Sequence, residues 1–219
     1  MSLQPPETRR VIIGAMLALF LAALDQGIVA TALPTIAAEL GDAHLLSWTV
    51  TAYLVSSTSA TPVAGKLSDL YGRRPAMRAA ILLFVGASIL CAFAPTMTLL
   101  IAARALQGIG GGALMVLAQT VVADVVSPRE RGRYSAYFSL TWATASALGP
   151  TLGGFLAEGP GWPWIFWINL PLGAAALLAT DTVLRKLPPP SGRGGGLDLP
   201  SVALLPVCLL YTSDAADEL

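Results

Sequence analysis

Charge is scarce in this sequence: 12% of its 219 residues are charged, one is histidine and two are cysteine. A soluble domain carries about 25% charged residues, so a single water-facing globule is excluded. Cys91 and Cys208 each lie inside an apolar run. They read as buried structural thiols, not as a disulfide framework or a metal pair. The lone His44 sits in a short polar stretch after Asp42 and reads as a solvated loop residue. With one histidine, two separated cysteines, no H-E-x-x-H and no P-loop, a membrane-embedded enzyme or anchor has no visible chemistry. No metal, cofactor or nucleic-acid partner is expected.

What the chain has in excess is apolar surface, with 55% hydrophobic residues and a mean hydropathy of +0.68. That is the composition of a membrane protein whose first partner is the lipid bilayer. Runs close to the ~20 residues that cross a bilayer fall at 11–33, 46–66, 79–97, 98–123, 134–157 and 163–183, six spans in all. The first is longer than a signal-peptide core and lacks an A-x-A-like cleavage site, so it stays as helix one. Polar stretches at 39–44, 68–78, 95–98, 127–133 and 158–163 punctuate the runs. Residues 184–198, with three prolines at 188–190 and three glycines at 194–196, read as a linker. Residues 199–219 begin a seventh helix that stops after thirteen apolar positions and gives way to an atypical acidic tail. The expectation is therefore the N-terminal part of a longer protein.

Twelve of the thirteen basic residues fall on one side of these spans, at Arg9, Arg10, Lys66, Arg73, Arg74, Arg78, Arg129, Arg131, Arg133, Arg185, Lys186 and Arg193. The opposite connections carry only Glu39, Asp42 and Glu158. By the positive-inside rule, residues 1–10 and the linker are cytoplasmic. Trp48, Trp162, Trp164 and Trp167 mark the other face as an aromatic belt. The expected location is a plasma (inner) membrane, crossed several times, in a bacterium.

Two charges remain inside spans. Asp25 lies roughly 12 Å below the outer end of helix one, and Arg104 roughly 10 Å below the same boundary on helix four. Intramembrane charges are costly and face a protein interior or a watery path. The pair is read either as a structural ion pair or as a proton site made of a titratable acid beside a fixed cation.

Further along helix four, Arg104, Gly108, Gly111 and Met115 share one face, so helices can approach closely there. Gly108-Ile109-Gly110 follows no strand and is not a dinucleotide fingerprint. In helix five, Pro150 between Gly149 and the pair Gly153-Gly154 predicts a kink at a hinge or tight seam. The stretch Gly65 to Pro75 predicts a short charged turn in which Asp69 and Arg73 pair with neighbouring helix ends, Asp124 being the candidate partner. Ser56, Ser57, Ser59 and Thr61, with Gln119 and Trp142, face either a substrate cavity or helix contacts.

Gly65-x3-Asp69-x2-Gly72-Arg73-Arg74 resembles the loop signature of the major facilitator superfamily. Leu24-Asp25 with Ala32-Leu33-Pro34 resembles the helix-one motif of its fourteen-helix drug:proton antiporters, although Gly27 stands where that motif usually carries a hydroxyl residue. Arg104-x2-Gln107-Gly108-x-Gly110 resembles the helix-four motif, and Gly149-Pro150-x2-Gly153-Gly154 the antiporter motif of helix five. Trp164-Ile165-Phe166-x-Ile168-Asn169-x-Pro171-x-Gly173 is similar to the family's start of helix six.

The resemblance covers residues 10 to about 185 and implies an all-α integral membrane fold, the six-helix N-terminal bundle at 11–183. It implies proton coupling through Asp25 and Arg104, a conformational seam at the Gly-Pro motif, and a loop that stabilises one transport state. It implies an exporter of small amphipathic substrates in exchange for protons, whose C-terminal half is missing here. An importer or metabolite exporter of other cargo is the alternative.

Overall fold

The structure is a computed structural model that describes residues 5–127 and 129–184. Its elements are α1 Pro5–Leu40, a 3₁₀ turn Ala43–Leu45, α2 Leu46–Tyr71, α3 Arg73–Ala92, α4 Met97–Val125, α5 Arg131–Glu158, α6 Trp164–Trp167 and α7 Asn169–Leu184. Among the described residues the fold is all helical. The proposed linker and seventh helix lie outside them.

α1 and α4 are the central helices: α1 packs on α5, α7 and α4, while α4 packs on α2 and α3. Among the described residues four segments are long and apolar enough to cross a membrane, Arg9–Leu40, Arg73–Ala92, Met97–Val125 and Trp164–Asp181. α2 and α5 carry serines and threonines throughout, which lowers their hydropathy. Most of those hydroxyls donate to the backbone a turn earlier, as Thr51 does to Ser47 O (2.9 Å), Ser59 to Val55 O (2.7 Å) and Thr144 to Leu140 O (2.8 Å). A hydroxyl satisfied inside its own helix removes much of the penalty of low-dielectric surroundings. The exterior presents Leu82, Leu90, Phe93, Leu140, Phe155 and Leu178, an apolar surface that suits lipid.

Several boundaries differ from the sequence expectation. Helix one runs past its apolar stretch to Leu40, because Pro34 costs one backbone bond but already has a compatible φ. The expected polar connection at 68–78 is helical except at Gly72, whose φ of 99° reverses the chain in one residue. A side chain would be strained there, and α3 consequently starts at Arg73 and ends at Ala92 instead of spanning 79–97. Helix six is not continuous. Pro171 has no N–H to give the Trp167 carbonyl, and the helix breaks at Ile168 so that Asn169 opens α7. α5 remains helical through Pro150.

Close helix approach explains the packing. On α4, Cβ atoms at Gly108 and Gly112 would meet backbone of Tyr53 and Ser57 on α2, and one at Gly110 would lie 2.8 Å from the backbone N of Phe84 on α3. In lipid, such van der Waals contact replaces the hydrophobic effect as the force between helices.

Candidate functional site

Asp25 and Arg104 meet in the bundle. Arg104 Nη1 lies 2.5 Å from Asp25 Oδ2, and both side chains are fully buried. The matched depth expected from the sequence is therefore realised as a contact between α1 and α4.

Neutral polar groups complete the cluster. Gln107, one turn after Arg104, accepts from Arg104 Nη1 at 2.6 Å and donates to Asp25 Oδ1 at 2.9 Å and to Ser88 Oγ at 2.6 Å. Cys91 Sγ donates to the same Gln107 Oε1 at 3.6 Å. Asn169 Nδ2 donates to Asp25 Oδ1 at 2.7 Å and to Ser88 Oγ at 3.1 Å. The Arg104 guanidinium lies 4.3 Å from the centroid of the Tyr53 ring, within range of a cation–π contact. Five helices thus contribute to one buried cluster, α1, α2, α3, α4 and α7, and the carboxylate itself is bonded from α4 and α7.

The sequence reading found Asp25, Arg104 and Gln107 but gave no role to Tyr53, Ser88 or Asn169. Ser88 was detectable as a lone hydroxyl in the apolar run 81–90. Tyr53 carried no signal that separates it from an ordinary buried aromatic.

A second charged network sits at the Gly72 turn. Arg73 bridges Asp69 (2.5 Å) and Asp124 (2.8 Å), the partner expected from the sequence, and donates to Ser68 Oγ. Arg74 binds Asp181 at 2.9 Å, and Arg78 pairs with the same carboxylate. Asp181 was not anticipated. Its signal was the need of Arg74 and Arg78 for an acid at the same end of the bundle. Gly65 meets only the Val116 side chain, at 3.9 Å, so close packing does not require it.

The α5 motif forms a seam with α1. A Cβ at Gly149 would lie 2.8 Å from Gly27 Cα, and one at Gly153 would lie 2.6 Å from Ile28 O. A Cβ at Gly27 would lie 3.1 Å from Gly149 Cα, so a larger residue here, such as the hydroxyl residue of the helix-one motif, needs α5 to give by a few tenths of an ångström. Gly154 faces open space and is not part of the seam.

The four candidate cavity residues do not line one surface. Gln119 and Trp142 share a groove of about 340 Å³ with Leu19, Met115, Phe138 and Ser139. Ser56 lines a separate apolar groove of about 790 Å³ over α2, α3 and α4, alongside Ser59. Ser57 is buried, its hydroxyl donating to Leu54 O at 3.0 Å. Thr61 likewise donates to Ser57 O at 2.9 Å. Periodicity could not separate these faces, because the consecutive hydroxyl residues 56–59 of α2 fall on several sides of the helix.

The sequence profile of the Major Facilitator Superfamily matches residues 15–212. The chain is 41% identical over 182 residues to the efflux pump FUS6 of Gibberella moniliformis, covering 83% of this chain and 32% of the pump. It is 41% identical over 180 residues to the multidrug transporter protein MdtP of Bacillus subtilis, covering 81% and 33%. Among solved structures it resembles the human organic anion transporter MFSD10 (TM-score 0.66, 27% identity, 83% of this chain and 48% of that one). It also resembles the proton:xylose symporter XylE (TM-score 0.74, 16% identity, 86% and 46%), which speaks to fold alone. The chain spans about a third of the length of the curated relatives it matches. With the profile covering most of the sequence and these helices superimposing on its solved members, the chain belongs to the major facilitator superfamily.

Proposed function

We propose that this chain is the N-terminal half of a proton-coupled exporter of small amphipathic molecules, with Asp25 as the coupled proton site. The observation that carries the proposal is the fully buried Asp25–Arg104 pair held by two amides. As a carboxylate and a guanidinium the pair is electroneutral. Protonating Asp25 leaves one uncompensated charge in a low-dielectric interior, where an unpaired ion costs several kcal/mol. A proton arriving at Asp25 therefore drives the helices toward another arrangement, which is what coupling requires.

The names of the efflux pump FUS6 and the multidrug transporter MdtP support efflux and a drug-like cargo. The groove of Leu19, Met115, Gln119, Phe138, Ser139 and Trp142 supplies one wall of the cargo site, and a C-terminal half supplies the other. The α1–α5 glycine seam and the Arg73 network are the parts that hold one conformation closed. The basic ends support a reading with the N-terminus in the cytoplasm and six spans through a plasma (inner) membrane.

The test is exchange in proteoliposomes of the full-length transporter, with an imposed pH gradient and a fluorescent lipophilic cation as cargo. Asp25-dependent exchange supports the proposal. Exchange unaffected by Asp25→Asn reduces the pair to a structural role.

A further inference from the structure

The groups bonded to the Asp25 carboxylate differ in what remains unused. Arg104 has only donors. Gln107 Oε1 already accepts from Arg104 and Cys91, while its nitrogen serves Asp25 and Ser88. Ser88 Oγ accepts from both amides. Asn169 Nδ2 is used twice, yet Asn169 Oδ1 is buried and has no hydrogen-bond partner. A buried acceptor left unmade is costly, so this atom calls for an explanation.

A carboxylate is acceptor-only, whereas a protonated carboxyl also donates. When Asp25 takes up a proton, the new O–H needs an acceptor within the same shell. Two buried acceptors of the cluster are unfilled, Asn169 Oδ1 and Tyr53 Oη; of these residues Asn169 is the one bonded to the carboxylate, whereas Tyr53 lies against Arg104. Rotation about the Cβ–Cγ bond exchanges Oδ1 and Nδ2 without moving the backbone, since that torsion is broad and roughly two-fold.

We propose that Asn169 is a positioning residue that follows the protonation of Asp25: its amide donates to the carboxylate and turns to accept from the protonated acid. The turn puts Oδ1 in place of Nδ2 at Ser88 Oγ, so the tie between α3 and α7, which Asn169 opens at the Ile168 break, reverses on protonation: the Ser88 O–H then donates to Asn169. No bond other than hydrogen bonds changes, and the proton stays on Asp25. The inference rests on Asp25 being the proton site. Gln107 cannot substitute, because Arg104 holds its oxygen in place.

The experiment uses the 219-residue chain in lipid nanodiscs. Asn169 is the single asparagine of the sequence, so side-chain ¹⁵N-asparagine gives one NH₂ pair in a magnetic resonance spectrum, and ¹³Cγ-aspartate with Asp25→Gln as control identifies Asp25. The expected result is an NH₂ pair that changes with the same midpoint as Asp25 and loses its response in Asp25→Gln, which adds no second asparagine. Infrared spectra separate a turning amide from a fixed one. The Asp25 acid C=O stretch is expected at low wavenumber, to move up in Asn169→Leu and to return in Asn169→Ser, which keeps an acceptor. An NH₂ pair that stays fixed while Asp25 titrates overturns the amide turn and leaves the proton site standing. An Asp25 that never titrates overturns both. Should Asn169→Leu fail to fold, the unsubstituted chain still decides through its NH₂ pair.

Discussion

The protein builds two ion-pair networks from the same residue types, and their surroundings give them opposite characters. At the centre, Asp25 and Arg104 are sealed from solvent, at 0% and 2% side-chain exposure. At the Gly72 turn, Arg73 is 18% exposed while its partners Asp69 and Asp124 are 65% and 42% exposed. Solvent-exposed pairs contribute about 0–1 kcal/mol because water already solvates both ions. A buried pair contributes little on formation, yet losing one partner costs about 3–5 kcal/mol because the other charge is stranded. The turn network therefore holds helix ends together softly and reversibly. Under the proposed function the central pair is the one that answers a proton, since a change in its net charge there is not screened by water, as it is at the turn.

The largest effect that sharpens this contrast is expected in function. Asp25→Asn in the full-length transporter is predicted to abolish pH-driven exchange while membrane insertion is retained, because a neutral amide lowers the insertion cost as it removes the proton carrier. Wild-type exchange rates in vesicles would erase the distinction between the two networks.

Next in size is Arg104→Ala, which strands Asp25. We expect a loss of about 3–5 kcal/mol at neutral pH, read from thermal unfolding in detergent. The loss should shrink as pH falls, since the stranded carboxylate can then be neutralised by a proton. A loss that does not depend on pH would mean that Asp25 carries no charge in the folded chain.

A third substitution probes the packing that keeps the central pair dry. Gly112→Ala drives a methyl into the Ser57 backbone and is expected to cost about 1–3 kcal/mol. Gly154→Ala, at an open position, should stay within about 0.5 kcal/mol. Equal melting temperatures for the two would show that α2 and α4 do not depend on their close approach.

The smallest effect is expected at the turn. Asp69→Asn should change stability by no more than about 1 kcal/mol, and added salt should reduce even that. A larger, salt-independent loss would place the turn network in the same class as the buried pair.

Much of this was legible in the sequence where single residues are energetically conspicuous. Asp25 and Arg104 stand out because charge in an apolar run has few affordable environments, and Gly149 and Gly153 because close helix contact selects glycine. Asp124 was legible as a partner for the turn of Asp69 and Arg73 since all three lie at one end of the bundle. The neutral members of the cluster were not legible. Serine, tyrosine and asparagine are tolerated in many helix settings, so their presence does not specify a partner. Asn169 sat in a recognisable stretch, but its role depends on the break that Pro171 imposes and on the direction in which α7 then leaves.

The sequence by itself determined that the chain is a helical membrane protein, where its apolar runs lie, and that two charges needed burial, because hydropathy and desolvation cost act on residues one at a time. Only the tertiary structure decided that five helices build one cluster around the Asp25–Arg104 pair, that Asp181 answers Arg74 and Arg78, that Gly154 is idle, and that Ser56 and Ser57 lie away from Gln119 and Trp142. Those outcomes depend on the rotation of each helix about its axis. That rotation is set by packing against neighbours far away in the chain, where glycines admit close contact and larger side chains refuse it.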